Sequence, residues 1–192
     1  MRLPVDRRPV LVALAGPNGA GKTTFYQAHL RPAGLRFVNT DALARELGLD
    51  AYRGSRVAEA IRQQLVEQRE SFVFETVFSD PVGEKLTFLK TATRLGYTVV
   101  LCFIGLSGPR ICEARVAMRV SQGGHDVPSE KLAARFPRTL ANLERAIREL
   151  PHVLVFDNDD LRRPFRLAAE FENGQQTMLR TAPPKWLKPL LP

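Results

Sequence analysis

The residues whose spacing carries most chemistry are Gly16-Pro17-Asn18-Gly19-Ala20-Gly21-Lys22-Thr23-Thr24, directly after the apolar run 10–15. The pattern is G-x-x-x-x-G-K-T. Glycines at 16, 19 and 21 let the backbone turn sharply and aim successive N–H groups at one concave point. That shape binds a polyphosphate. Lys22 is placed to reach the β- and γ-phosphates, and the Thr23 hydroxyl to coordinate Mg²⁺. A helix opening near Lys22 adds its positive end. The whole loop, with Pro17, Asn18, Ala20 and Thr24, is expected to bind ATP together with Mg²⁺.

Such a loop says nucleotide, not reaction. No N-K-x-D motif is present, which leaves a guanine-specific switch without support. The apolar run 99–104 ends in Gly105-Leu106 and lacks the acid that closes the corresponding strand of a hydrolysing ATPase. Asp41 is better placed, at the carboxyl end of the run 35–39. The strand after the loop is expected beside the first, which would turn Asp41 toward the γ-phosphate. There it can take or orient the proton of an attacking hydroxyl. It can also hold Mg²⁺ through water or cap the helix that begins at Ala42.

Glu75 ends the apolar run 72–74, where a charge needs exposure or a partner. It is expected to hydrogen-bond substrate hydroxyls or to sit near the metal, the plain alternative being an arginine pair. Thr76 contacts the ligand or caps a turn. Arg115 and Arg119 lie four apart and share a helix face, and Arg135 and Arg138 stand in the next helical stretch. Such arginines fit a lid that spreads the charge of a transferring phosphoryl group; the alternative is a solvated basic face. His125, after two glycines, is either a substrate-phosphate contact or structural. With three histidines and no H-E-x-x-H, a histidine metal site is not expected.

These side chains need a scaffold. Apolar, β-rich runs recur at 10–15, 35–39, 72–74, 97–104 and 153–156. Helical patterns separate them at 22–30, 41–47, 56–69, 81–95, 109–121 and 129–150. The alternation predicts an α/β chain with a mainly parallel five-stranded sheet and helices on both faces. Ligands in such sheets sit at the carboxyl ends of strands, where the loop, 39–41 and 75–76 all fall. Pro137 predicts a kink or break in the last long helix. Beyond 157–160, the runs 165–171 and 176–179 flank Asn173-Gly174 and predict a small C-terminal β-hairpin. Trp186 in the tail is expected to pack on the body, and Asp157 either touches the nucleotide or ends the last strand.

At 192 residues the chain is read as one domain, with a core at about 9–158 and a hairpin and tail at 159–192. No apolar run reaches membrane-span length and no signal-peptide core precedes the first strand, so the expectation is a cytoplasmic protein without a membrane partner. Cys102 and Cys112 read as buried thiols. The net charge of +8 points to anionic partners. No basic tract is interleaved with aromatics, so nucleic acid is not expected among them.

Taken in order, Gly16–Thr24, Val38-Asn39-Thr40-Asp41, Phe74-Glu75-Thr76, Gly123-Gly124-His125-Asp126-Val127-Pro128 with Arg135, and Phe156-Asp157-Asn158 resemble the zeta toxin family of P-loop kinases in a compact form. The resemblance implies the P-loop NTPase fold and an ATP-dependent kinase acting on a hydroxyl of a small molecule. The best-known members act on UDP-N-acetylglucosamine, and an antitoxin protein is a possible partner. Carried over by motif, Lys22 and Thr23 hold phosphates and Mg²⁺. Asp41 is the base, Glu75 a substrate contact, and Arg119 and Arg135 stabilise phosphate charge. Two other readings fit the residues: a kinase for another hydroxyl compound, and a nucleotide-switched binding module.

Overall fold

A computed structural model describes residues 8–124 and 126–192. Its strands are β1 (Val10–Ala15), β2 (Arg36–Val38), β3 (Phe72–Thr76), β4 (Thr98–Gly105), β5 (His152–Asp157), β6 (Arg166–Glu172) and β7 (Gln175–Leu179). Its helices are α1 (Lys22–Phe25), α2 (Thr40–Glu46), α3 (Ala51–Glu67), α4 (Glu84–Arg94), α5 (Pro109–Ser121) and α6 (Ser129–Glu149). A π-helical turn, Tyr26–Leu30, continues α1 without a break.

All strands join one seven-stranded sheet in the order β2-β3-β1-β4-β5-β6-β7. The first five are parallel. Two sequence expectations are corrected here. The hairpin is not an appendage to a five-stranded sheet: β6 pairs antiparallel with β5, and β7 with β6. The reason is that β6 buries Ala168, Ala169 and Phe171 and closes the free edge of β5. The hairpin turn itself is as expected, with Asn173 and Gly174 at φ 50° and 79°. The second correction concerns order. β2 does not lie beside β1; β3 does, with Leu14 opposite Glu75 and Ala15 opposite Thr76.

Side chains alternate across the sheet and build two apolar layers. On one face Leu11, Ala13, Phe72, Phe74 and Phe103 pack under α3, α4 and α6. On the other Val12, Leu14, Val73, Cys102 and Ile104 meet Phe25, Cys112 and Phe156. Each fully buried Phe or Leu contributes about 1.5–3 kcal/mol. Burial pushes the Cys102 thiol up to about 12 and Cys112 up to about 11, so neither is a thiolate at neutral pH.

α6 runs unbroken through Pro137, against expectation. Pro137 denies a hydrogen bond to the Ala133 carbonyl, but both residues are exposed, so water can take its place. The opposite face buries Leu132, Phe136, Leu143, Ala146 and Ile147 and holds the helix in one piece. α3 begins at Ala51 rather than 56 because Asp50 caps it, accepting from the Tyr52 and Arg53 amides at 2.9 Å each. Gly54, which looks like a helix breaker in the sequence, allows α2 to approach: a Cβ there would lie 2.6 Å from the Ala44 Cβ. No helix among the described residues is long and apolar enough to cross a membrane.

Candidate active site

The phosphate loop leaves β1 and turns under α5. Gly16 is held at φ 142°, where a Cβ would meet the Ile104 carbonyl oxygen at 2.1 Å, so only glycine lets the loop cross β4. Gly21 caps α1 from the left-handed region, and the loop closes on itself through Ala20 N–H to the Pro17 carbonyl at 3.2 Å. The strand-end loop after β5 braces it from outside. The Asn158 side-chain amide donates to the Ala20 carbonyl at 2.8 Å, while its oxygen accepts from the Phe165 amide at 3.1 Å.

Lys22 is buried, with its Nζ donating to the Gly16 and Pro17 carbonyls at 3.0 Å each. Nζ also stands 3.9 Å from Glu75 Oε1. Burial lowers its pKa from the ordinary lysine value; Glu75 and Asp41 oppose that fall and Arg119 adds to it. That balance places Glu75, Asp41 and Arg119 within electrostatic reach of one ammonium group.

Glu75 is the carboxylate brought against the loop: it ends β3, and β3 occupies the place beside β1 expected for β2. Its Oε2 accepts from the Thr23 hydroxyl at 2.8 Å and from the Asn39 amide at 2.9 Å. A hydroxyl and a carboxylate held this close are the hard oxygen donors that Mg²⁺ takes, since Mg²⁺ needs only one or two protein ligands beside phosphates and water. The loop also offers room for a further bond: the Asn18 side-chain oxygen is buried with no partner among the described residues.

Asn39 belongs to the segment 39–41 marked in the sequence, where no role is legible for it. It caps α2, its side-chain oxygen accepting from the Ala42 amide at 2.9 Å. The same amide group holds Glu75, so one side chain ties the start of α2 to the end of β3. An Asx residue before a helix start is itself a capping signal, and Asn39 takes the role considered for Asp41. Asp41 therefore stands in the first turn of α2 with its carboxylate exposed and not engaged as a cap.

The arginines divide. Arg115 turns inward and donates to the Asn158 and Asp159 carbonyls at 2.6 and 3.0 Å, bracing the loop that holds Ala20. Arg119, one turn later on α5, is the arginine whose charge is felt at Lys22. Arg135 is half buried on α6, one turn before Thr139, whose hydroxyl donates to the Val77 carbonyl at 3.1 Å. That bond holds this part of α6 against the loop leaving β3. The Thr76 hydroxyl accepts from the Phe78 amide at 3.0 Å, a turn-capping arrangement. His125 lies outside the described residues. Asp157 is buried and bonded to Arg166 and to the Trp186 indole N–H at 3.1 Å, so it anchors the C-terminal segment to the end of β5.

Against known proteins, the AAA domain family (AAA_33) matches residues 11–146. No curated protein matches. Among solved structures, the AvrRxo1-ORF1:-ORF2 complex with ATP is similar at 19% identity with a TM-score of 0.71, over 91% of this chain and 61% of that one. This chain thus spans about three fifths of that protein's length. The PezAT chromosomal toxin–antitoxin system of Streptococcus pneumoniae is similar at 16% identity and a TM-score of 0.56, over 78% and 69%. Shikimate kinase from Acinetobacter baumannii is similar at 17% identity and a TM-score of 0.51, over 79% and 84%. The fold is that of P-loop kinases, and the zeta-toxin resemblance read from the motifs agrees with it.

Proposed function

We propose that this chain, which belongs to the AAA domain family, is an ATP-dependent phosphotransferase that moves the γ-phosphoryl group onto a hydroxyl of a small molecule, a sugar nucleotide such as UDP-N-acetylglucosamine being the first candidate. The observation that carries the reading is the 2.8 Å bond between Thr23 and Glu75 beside a buried Lys22, with Asp41 uncapped in the same field. A switch or binding module needs the loop, whereas phosphoryl transfer also calls for a second carboxylate, and Asp41 is exposed and within electrostatic reach of Lys22.

The chain's own residues then have separate tasks. The loop from Gly16 to Thr24 wraps the phosphates with backbone N–H groups, and Lys22 exchanges its carbonyl bonds for phosphate oxygens. Bound Mg²⁺ neutralises phosphate charge, and Thr23 with Glu75 would hold it. Asp41 orients the acceptor hydroxyl and accepts its proton. Arg119 and Arg135 stabilise charge on the transferring group. Arg115 acts from behind by fixing the 158–159 backbone, a positioning role beside the substrate contact expected of it. A protein partner of the antitoxin kind belongs to the same reading, supported by the two-component AvrRxo1 and PezAT structures.

The test is incubation of the purified chain with Mg²⁺, ATP and a panel of sugar nucleotides, with products read by mass. A phosphorylated sugar nucleotide that disappears with Asp41→Asn supports the reading. ATP binding without any product contradicts it.

A further inference from the structure

Asp41, the group proposed to take the acceptor's proton, stands on a lightly held helix. α2 has seven residues, Thr40–Glu46, and none of them is buried. Its apolar hold is Leu43, half-buried against the core, and the approach of Ala44 to Gly54 on α3. The strand that leads into it adds little. β2 is a three-residue edge strand, and its pairing with β3 ends at Val38 opposite Phe74. A short helix with so little burial draws its order from whatever ties down its ends.

One side chain continues the register where the backbone pairing stops. The residues after Val38 and Phe74 are Asn39 and Glu75, and the Asn39 amide nitrogen donates to Glu75 Oε2 at 2.9 Å. The Asn39 oxygen accepts from the Ala42 N–H at 2.9 Å, in the first turn of α2 that carries Asp41. The bond to the carboxylate is charge-assisted and roughly twice as strong as a neutral one. Glu75 Oε2 takes a second bond from the Thr23 hydroxyl at 2.8 Å. A continuous chain of contacts thus runs from the phosphate loop through Glu75 and Asn39 to the turn that holds Asp41. An amide suits this place because it accepts with one atom and donates with the other. Aspartate caps a helix as well as asparagine does but has no N–H to offer Glu75, and serine caps with a side chain too short to reach both partners.

We propose that Asn39 is a positioning residue that couples the metal side of the site to its acceptor side. With the phosphate loop loaded and Glu75 held in one place, Asn39 fixes the first turn of α2 and with it Asp41. The consequence for catalysis rests on the phosphotransferase reading, but the coupling is tested without turnover. The full chain is compared as wild type, Asn39→Asp and Asn39→Ser, each free and with saturating Mg²⁺ and a non-hydrolysable ATP analogue. Hydrogen exchange is read at the amides of residues 42–46, and thermal unfolding is followed alongside.

Both variants still cap α2 and are expected to melt near wild type. Loading is expected to slow exchange in α2 of wild type by about tenfold and to change it by less than about twofold in either variant. With an acceptor that wild type phosphorylates, both variants are expected to lose about tenfold or more in kcat with little change in KM for ATP. Should the aspartate variant fail to fold with two carboxylates set against each other, the serine variant carries the comparison. An aspartate variant that shows the wild-type exchange response would mean that Asn39 only caps, and overturns the proposal. A wild-type α2 that ignores loading overturns it too. A response lost in both variants of a protein that phosphorylates nothing would leave the coupling standing and remove the transferase reading. Transfer by all three proteins at equal rates, with equal exchange responses, would do the reverse.

Discussion

The hydroxyl of Thr23 and the carboxylate of Glu75 are joined by a 2.8 Å hydrogen bond although 52 residues separate them in the chain. The bond exists because β3, not β2, lies against β1 and brings Glu75 opposite Leu14. It links the loop that would hold the nucleotide to the end of β3. Replacing the carboxylate by its neutral isostere keeps the shape and removes the charge. Glu75→Gln is expected to lower kcat by about 10²-fold or more and to raise the Mg²⁺ concentration for half-maximal rate. Steady-state kinetics across a Mg²⁺ titration would check this; an unchanged Mg²⁺ requirement would remove Glu75 from the metal.

Lys22 gives a pH prediction. Burial lowers its folded-state pKa below the ordinary 10.5. Between the lowered value and 10.5 the unfolded chain binds more protons than the folded one, so this group's contribution to stability rises with pH across that window. Below the folded pKa its cost is constant. The stability of wild type relative to Lys22→Met should therefore increase as pH is raised toward 10.5, in denaturant titrations of both proteins. A difference that stays flat or falls would show that burial does not set this pKa. The same variant should lose ATP affinity by at least about tenfold.

Adjacent residues at the end of β5 should give different phenotypes. Asp157→Ala leaves the buried Trp186 N–H without an acceptor and breaks the Arg166 pair. Arg166 is about one third exposed, at 33%, so solvent screens part of that pair, and a loss of about 2 kcal/mol is expected. Its ATP affinity should stay within about twofold of wild type, since no Asp157 bond reaches the loop. Asn158→Ala frees the Ala20 carbonyl and should weaken ATP binding by about tenfold. Denaturant unfolding and nucleotide titration on the two variants would separate them, and equal ATP affinities would contradict the bracing role of Asn158.

Much of this fold is legible in the sequence because its signals are local. The apolar runs mark the strands, 109–121 matches α5 to the residue, and Asn-Gly marks the hairpin turn. Strand order is not local. Nothing in 35–39 states that it will pair with β3, so the sequence does not say which strand end brings a carboxylate beside the loop. The role of Asn39 is hidden for a related reason: it closes the run 35–39, and only packing reveals a cap that also grips Glu75. Asp41 and Asn39 are both capping types two residues apart, and the backbone settles which one caps.

Gly16 offers a test of the loop itself. Gly16→Ala drives a Cβ into the Ile104 carbonyl oxygen at 2.1 Å and imposes a φ of 142° on a residue that rarely adopts it. A stability loss of about 3 kcal/mol or more and loss of measurable ATP binding are expected. Wild-type melting with intact nucleotide binding would mean that the crossing of β4 is looser than described.

The most direct measurement is phosphoryl transfer itself: full-length chain, Mg²⁺ and ATP with UDP-N-acetylglucosamine and other anionic and neutral hydroxyl compounds, products resolved by mass, wild type beside Asp41→Asn. The account predicts a singly phosphorylated anionic acceptor with wild type and a loss of about 10²-fold or more with the variant. ATP bound without any phosphorylated acceptor, or an Asp41→Asn variant as fast as wild type, would contradict it.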